Sequence, residues 1–134
     1  MTSFPLKIVT PDGLIFDSEA EELIVRSITG EVAVLAKHTN FVTPLGMGRA
    51  VIVSGGQRRT AACIGGMLSV VNGSVTLVPT TFEWSDKIDL DRANAAYQRA
   101  NDILNNPRST ENDLKLAEAK LRRALVRRSV ASSK

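Results

Sequence analysis

The first 84 residues alternate between short apolar runs and turn residues. The runs are rich in Val and Ile and predict about eight strands, at 6–10, 14–17, 22–29, 31–35, 49–53, 59–64, 67–71 and 75–78. Pro11-Asp12-Gly13 predicts a turn, and Gly55-Gly56 and Asn72-Gly73 predict two-residue hairpin loops. This pattern is typical of an antiparallel β-sandwich or flattened barrel, with Pro44 and Pro79 expected at strand edges or ends.

The apolar spacing changes to a helical period after Glu83-Trp84-Ser85. Two sets of apolar residues, spaced three and four apart, each form a seam along one face of a predicted helix. The first seam is Leu90, Ala93, Tyr97, Ala100 and Leu104, and the second is Leu114, Ala117, Leu121 and Ala124. Ser85 or Asp86 is expected to cap the first helix, with Asp89 in its first turn. Asn105 to Arg108 should end it, and Thr110 with Asp113 predicts a capping box for the second. A short linker between matching seams indicates an antiparallel hairpin.

Composition divides the chain at the same place. All nine glycines lie at or before Gly73, and the overall charge of +3 is the sum of −1 over residues 1–84 and +4 over residues 85–134. The predicted fold class is therefore α+β, with a β-sandwich domain at 1–84 and a helical hairpin at 85–134.

The reactive residues are too few for a catalytic or metal centre. One cysteine (Cys63) and one histidine (His38) exclude a disulfide framework and a Cys/His zinc site, and no nucleophile, dinucleotide or phosphate-loop motif is present. Cys63 is interpreted as a small buried hydrophobe, and His38 as a structural hydrogen-bonding or interface residue. The N-terminus has no secretory signal pattern, and the uncharged run 60–82 is interpreted as a β-hairpin rather than a membrane span.

Two charged features stand out. Residues 114–134 carry seven positive groups against Glu118, and these are Lys115, Lys120, Arg122, Arg123, Arg127, Arg128 and Lys134. This basic segment is either a solvated helix face or a docking surface for an acidic partner or anion. Arg92 and Arg99 are seven residues apart and share a helix face. Two interpretations of Arg92 are open. It forms an ordinary ion pair with Asp89 within the helix, or it forms an anion site with Arg99 and with Arg122 or Arg123.

Several short motifs occur in a fixed order along the chain. They are Val9-Thr10-Pro11-Asp12-Gly13, Gly30 to Leu35 followed by His38, Leu45-Gly46, Gly65-Gly66, and Ile88-Asp89-x-x-Arg92-Ala93. In this order and with this layout, the chain resembles the epsilon subunit of the bacterial F-type ATP synthase over essentially its whole length. One departure is Ala36-Lys37 before His38, where Pro-Gly is common in that family.

The resemblance implies a non-catalytic subunit of the central rotor stalk, peripheral on the cytoplasmic face of the bacterial membrane. Its sandwich would bind the gamma subunit and the c-ring, with His38 in an interface loop, and would help to couple rotation to ion translocation. Its hairpin would permit turnover when folded down. When extended along gamma, it would inhibit ATP hydrolysis through contacts of Lys115, Lys120, Arg122, Arg123, Arg127 and Arg128 with the catalytic beta and alpha subunits.

In some bacterial members of the family the folded hairpin binds ATP as a regulatory ligand, and no cofactor is required. Carried over to this chain, the resemblance implies a site of Glu83, Ile88, Asp89, Arg92, Ala93, Arg99 and Arg122, with Arg123 and Arg127 nearby. A nucleic-acid-binding module that uses the basic helix is the alternative, although the low aromatic content of 4% speaks against it. A small sandwich enzyme is a remote third reading.

Overall fold

The structure is a computed structural model that describes residues 2–132. The chain divides into two compact units, one ending at Trp84 and the other beginning at Ser85. The elements are β1 (Phe4–Thr10), β2 (Gly13–Ala20), β3 (Glu22–Ser27), β4 (Gly30–Val34), β5 (Phe41–Pro44), β6 (Met47–Ser54), β7 (Gln57–Val71), β8 (Ser74–Trp84), α1 (Leu90–Leu104) and α2 (Glu111–Ser132). The prediction of an N-terminal sandwich followed by two helices is confirmed.

The eight strands form one sheet around a hydrophobic core, and seven of them follow one another in a single path. Its order is β2-β1-β8-β7-β6-β3-β4, and β5 pairs with β7. Side chains alternate along each strand, so that Leu6 and Ile8 of β1, Leu23 of β3, and Leu68 of β7 point into the core. The pairs are antiparallel except for β1 and β8, which run parallel. That parallel pair departs from the fully antiparallel sandwich expected from the hairpin pattern.

Two of the predicted strands, 59–64 and 67–71, are a single strand. β7 pairs with β6 up to Ile64 and with β5 from Met67 onward, so it changes partner at Gly65-Gly66. The two glycines have φ values of +68° and +100°, a region that other residues rarely adopt. The glycine pair therefore bends the strand rather than ending it. β5 was not predicted, because a run of four residues ending in proline gives too little alternation.

The predicted turns are confirmed. Asn72 and Gly73 have φ values of +50° and +83°, and Gly55 and Gly56 have +60° and +78°, as two-residue hairpin loops require. The uncharged run 60–82 lies in the β7–β8 hairpin, as interpreted from its turn residues. Among residues 2–132, neither helix combines the length and the apolar composition needed to cross a bilayer.

Two prolines were expected at strand edges or ends, and Pro44 is at one, as the last residue of β5. Pro79 lies inside β8, where it faces Gly66 and is fully buried. The pairing of β8 with β1 stops at Leu77, two residues earlier. A residue without an N–H group is therefore tolerated at this position of an inner strand.

Cys63 is buried in the sandwich core, which confirms its interpretation as a small hydrophobe. Burial disfavours the thiolate and raises the pKa of the Cys63 thiol to about 12. At neutral pH the side chain is therefore a protonated thiol, without the thiolate character that a nucleophile needs.

The helical unit begins with a 3₁₀ turn at Ser85–Lys87, followed by α1, a turn at 105–110 and α2. The predicted end of α1 is confirmed, with Asn105 as its C-cap residue. The predicted capping box is also confirmed. The Asp113 carboxylate accepts a hydrogen bond from the Thr110 N–H at 3.1 Å, and the Thr110 hydroxyl accepts one from the Asp113 N–H at 3.1 Å.

Candidate functional site

Asp89 caps the first helix. Its Oδ1 accepts a hydrogen bond from the backbone N–H of Arg92 at 3.0 Å, with Asp89 in an extended conformation. The prediction of Ser85 or Asp86 as the cap was wrong, because those residues belong to the preceding 3₁₀ turn. The Asp89 carboxylate therefore bonds to the backbone of Arg92, rather than to its guanidinium as the ion-pair reading supposed. The Arg92 side chain is left exposed at the first turn of α1.

We expect Asp89→Ala to destabilise the hairpin by about 1 kcal/mol, because an N–H group at the helix start loses its acceptor. Asp89→Asn keeps a side-chain oxygen at the cap and should cost far less. Thermal unfolding followed by far-ultraviolet circular dichroism on the full chain compares the two variants. Equal stability of the alanine and asparagine variants would show that the cap is not the role of Asp89.

Small residues mediate the contact between α1 and α2. Ala93 and Ala100 are buried on α1, and Ala117 and Ala124 are buried on α2. The larger residues of the predicted seams lie at the margin, since Leu90 is 41% and Leu114 36% exposed. Contact through alanine brings the helix axes close but buries little apolar area, so the two helices are held weakly by the hydrophobic effect.

Three arginines each come directly before one of these buried alanines. They are Arg92 before Ala93, Arg99 before Ala100, and Arg123 before Ala124. One residue corresponds to 100° of helix rotation, so all three stand at the same angular offset from the helix contact. In an antiparallel pair the same offset leads to the same side of the hairpin. The three arginines therefore start from one side of the hairpin, as an arginine row, and their guanidinium groups suit an extended anion with several negative groups.

The other residues implied by the resemblance lie in different places. Arg122 precedes Ala124 by two positions, so its exposed side chain points away from α1 and does not join the arginine row. Arg127, four residues after Arg123, lies on the same side of the hairpin as the arginine row. Glu83 belongs to the sandwich unit, where it is paired with Ala62 in the β7–β8 ladder. Ile88 is buried immediately before the Asp89 cap.

The positive groups of α2 point in several directions instead of forming one face. Lys115 makes an exposed ion pair with Glu111 at 4.0 Å, which contributes little to stability. Arg128 lies over the ring of Tyr97 of α1, with its guanidinium carbon 4.5 Å from the ring centroid. Lys134 falls outside the described residues. The basic groups therefore point away from α2 in several directions, while Ala117 and Ala124 face α1.

One outer face of the sandwich carries an apolar stripe that sequence analysis missed. The members of the stripe are Val9 and Leu14, which pair between β1 and β2, and Val78, Met67 and Pro44, which pair across β8, β7 and β5. Leu14 is 59%, Val78 45% and Met67 41% exposed. The sequence did contain a signal. Val9 and Val78 directly follow the core residues Ile8 and Leu77, so these strands carry apolar residues on both of their faces. Contiguous apolar surface of this kind marks an interaction site.

His38 lies in the loop between β4 and β5. Its Nδ1 is 2.9 Å from the carbonyl oxygen of Thr39, and its ring packs against Phe41 with centroids 4.9 Å apart. Lys37, at φ +63°, makes the bend before it. Leu35 at the start of the loop is 54% exposed. The histidine thus has a structural hydrogen bond, and the same loop carries the exposed Leu35.

Comparison with known proteins covers both units. Residues 3–85 match the family model for the β-sandwich domain of the ATP synthase delta/epsilon chain, and residues 86–132 match the model for its long α-helix domain. The chain is 40% identical to the ATP synthase epsilon chain of Bacillus pumilus over 131 residues, covering 98% of each. It is 37% identical to that of an Exiguobacterium species over 135 residues, covering 100% of this chain and 99% of the relative.

Solved structures share the fold at lower identity. A chain in the mitochondrial ATP synthase of Euglena gracilis matches with a TM-score of 0.81 and 22% identity, over 91% of this chain and 77% of that one. A chain in the central stalk and c-ring structure of the Tetrahymena thermophila enzyme matches with a TM-score of 0.66 and 10% identity, over 95% of both. With two family models spanning residues 3–132 and full-length relatives that are epsilon chains, the chain belongs to the ATP synthase delta/epsilon-chain family.

Proposed function

We propose that this protein is a rotor subunit of a bacterial F-type ATP synthase that links rotation to ion translocation and restrains ATP hydrolysis. Its full-length similarity to epsilon chains supports this role over the nucleic-acid-binding alternative. The sandwich binds gamma and the c-ring, and the complex holds the protein at the cytoplasmic face of the membrane. Catalysis belongs to the partner subunits.

The apolar stripe is the proposed docking surface for gamma. Its exposed members carry no charge and lie across adjacent strands, so one partner surface can cover them together. Removal of this apolar area from water would supply the main driving force for docking. The His38 loop, with exposed Leu35 beside it, is the proposed second contact of the sandwich within the rotor.

We expect Val78→Asp and Met67→Asp each to weaken gamma binding about 100-fold, because an unpaired carboxylate buried in an apolar interface costs several kcal/mol. Val71→Asp is the matched control, since Val71 is 48% exposed and is the last residue of β7, four residues from Met67. Binding of the full-length variants to isolated gamma is measured by titration calorimetry, with circular dichroism to establish folding. Normal binding by both folded stripe variants would place the gamma contact elsewhere.

The hairpin is proposed to have two states, a folded one and an extended one that inhibits hydrolysis. In the extended state Lys115, Lys120, Arg122, Arg123, Arg127 and Arg128 would meet acidic surface on the beta and alpha subunits. The alanine contact between the helices supports such a switch, because little apolar area has to be uncovered when the helices separate. The charge around α2 supports an anionic partner.

ATP is the proposed ligand of the folded hairpin, and the arginine row is the observation that carries this part. Asp89, Arg92 and Ala93 shape the start of α1, Arg99 extends the row, and Ile88 completes the part of the implied set that lies in the helical unit. On α2, the offset shared with Arg92 and Arg99 favours Arg123 over Arg122 as the phosphate contact. A ligand specific for the folded state stabilises it by about 2.7 kcal/mol at a hundredfold excess over its Kd.

We expect Arg92→Gln, Arg99→Gln and Arg123→Gln each to weaken ATP binding by about tenfold to 100-fold, since a hydrogen bond to a charged group contributes about 1.5–3 kcal/mol. Arg122→Gln is the matched control and should bind ATP nearly as the wild type does. Calorimetric titration of each full-length variant with ATP measures the effect. A larger loss of ATP affinity in Arg122→Gln than in Arg123→Gln would show that Arg122 is the phosphate contact. Absence of ATP binding by the wild type would exclude ATP sensing.

A further inference from the structure

A cavity of about 370 Å³ opens at the turn between the two helices. Arg92, in the arginine row, lies at the opposite end of α1. Ile103 of α1 and Leu116 and Ala117 of α2 form the apolar part of its lining. Ala117 is buried, while Leu116 is 58% and Ile103 37% exposed. The volume lies in the range of small-molecule sites, and the two exposed apolar side chains offer area that a ligand can cover.

The hydrogen-bond acceptors in the lining are already engaged by the turn itself. The side-chain oxygen of Asn106 accepts from the Arg108 N–H at 2.9 Å, and Asp113 accepts from the Thr110 N–H at 3.1 Å. The Ser109 hydroxyl donates to the carbonyl oxygen of Ile103 at 2.6 Å. These bonds hold the shape of the cavity, and they turn one oxygen of the Asp113 carboxylate toward the backbone of the turn.

The remaining polar groups of the lining are two cations. Arg108 lies on the turn and Lys120 on α2, and within residues 2–132 neither forms an ion pair. Asp113 is the one carboxylate among the described lining residues, so the two cations leave a net positive charge beside the apolar wall, which attracts an anion. A guanidinium can bind a carboxylate through two parallel hydrogen bonds. The chemistry that fits is one negative group joined to a compact hydrocarbon body.

We propose that this cavity binds a small organic carboxylate with a branched or aromatic body. The carboxylate lies between Arg108 and Lys120, and the hydrocarbon covers Ile103 and Leu116. This site is separate from the arginine row, because none of its lining residues belongs to that row. It needs no second unit of the chain and no partner subunit.

The site has a regulatory consequence, which rests on the two-state hairpin proposed above. Both helices and their turn line the cavity, so the ligand binds only when the helices lie side by side. Binding therefore favours the folded hairpin by linkage. A carboxylate in the cavity acts in the same direction as ATP without competing for the same arginines.

The test uses the full chain labelled at Ile and Leu methyl groups, titrated with 4-methylpentanoate. Saturable chemical-shift changes are expected at the methyls of Ile103 and Leu116. Acetate, which lacks the hydrocarbon, and 4-methylpentanol, which lacks the charge, should each bind at least about tenfold more weakly. Arg108→Gln combined with Lys120→Gln should weaken binding by about tenfold or more, whereas the matched pair Lys115→Gln with Arg122→Gln should leave it unchanged.

Two results would overturn the proposal. One is equal affinity for the alcohol and the carboxylate, and the other is an unchanged affinity in the Arg108 and Lys120 double variant. These measurements use the chain alone, so they are independent of whether it inhibits hydrolysis. If the carboxylate binds as expected but does not relieve inhibition in the assembled complex, the site stands and its regulatory consequence fails.

Discussion

Gly66→Ala is expected to destabilise the sandwich more than alanine at any other of its glycines, by about 4 kcal/mol. A Cβ atom at this position would lie 2.6 Å from the Cα of Pro79 and 2.9 Å from the Val78 carbonyl carbon, and it would overlap the Val78 carbonyl oxygen. All three obstacles are backbone atoms, which cannot rotate away. The φ of +100° adds strain for any residue with a side chain.

Gly73→Ala is the matched control. Gly73 also has a positive φ, +83°, but a Cβ there would meet nothing within 4 Å. Its substitution should therefore cost only the conformational strain, about 1 kcal/mol. Urea denaturation of both variants separates the two contributions, and similar free energies of unfolding would show that β7 and β8 do not approach closely at Gly66.

Gly65-Gly66 is also a place where the sequence could not predict the path of the chain. The period-two pattern identified the strands on both sides, but a glycine pair is equally compatible with a turn and with a bend. Only the partners of β7, which change from β6 to β5 at this point, distinguish the two. The same reasoning applies to Pro79, whose place in an inner strand depends on β1 pairing with β8 only as far as Leu77.

In the helical hairpin, the features that depend on residues close together in sequence were predicted best. The seam alanines, the Asn105 end and the Thr110–Asp113 box were all predictable, because each depends on residues within one or two turns. The cap of α1 was misplaced, because Ser85, Asp86 and Asp89 are all good capping residues and the 3₁₀ turn decides between them. Arg123 was considered beside Arg122, and the buried position of Ala124 is what separates them.

Removal of the hairpin is expected to have the largest effect on function. The proposed gamma contacts, such as Val78 and Met67, lie in the unit that ends at Trp84. The proposed inhibitory contacts lie on α2, from Lys115 to Arg128. A chain ending at Trp84 should therefore still join the rotor, because its docking surface is intact, but it should no longer restrain hydrolysis.

Two controls make this result specific. Val78→Asp in the full chain should lose rotor binding and, with it, inhibition, so that assembly and inhibition fail together. A full chain in which Lys115, Arg122 and Arg127 are changed to Gln should assemble and inhibit less, because three of the basic contacts proposed for the acidic surface are gone. If the neutralised helix inhibited fully, contacts other than charge would have to account for inhibition.

The most direct measurement of the proposed division between the two units is the ATP hydrolysis rate of the synthase catalytic complex, depleted of this subunit and then reconstituted. We predict that the full chain lowers the rate, and that the chain ending at Trp84 binds equally but leaves the rate at that of the depleted complex. A truncated chain that binds and still inhibits would contradict the proposal that the sandwich docks and the hairpin regulates.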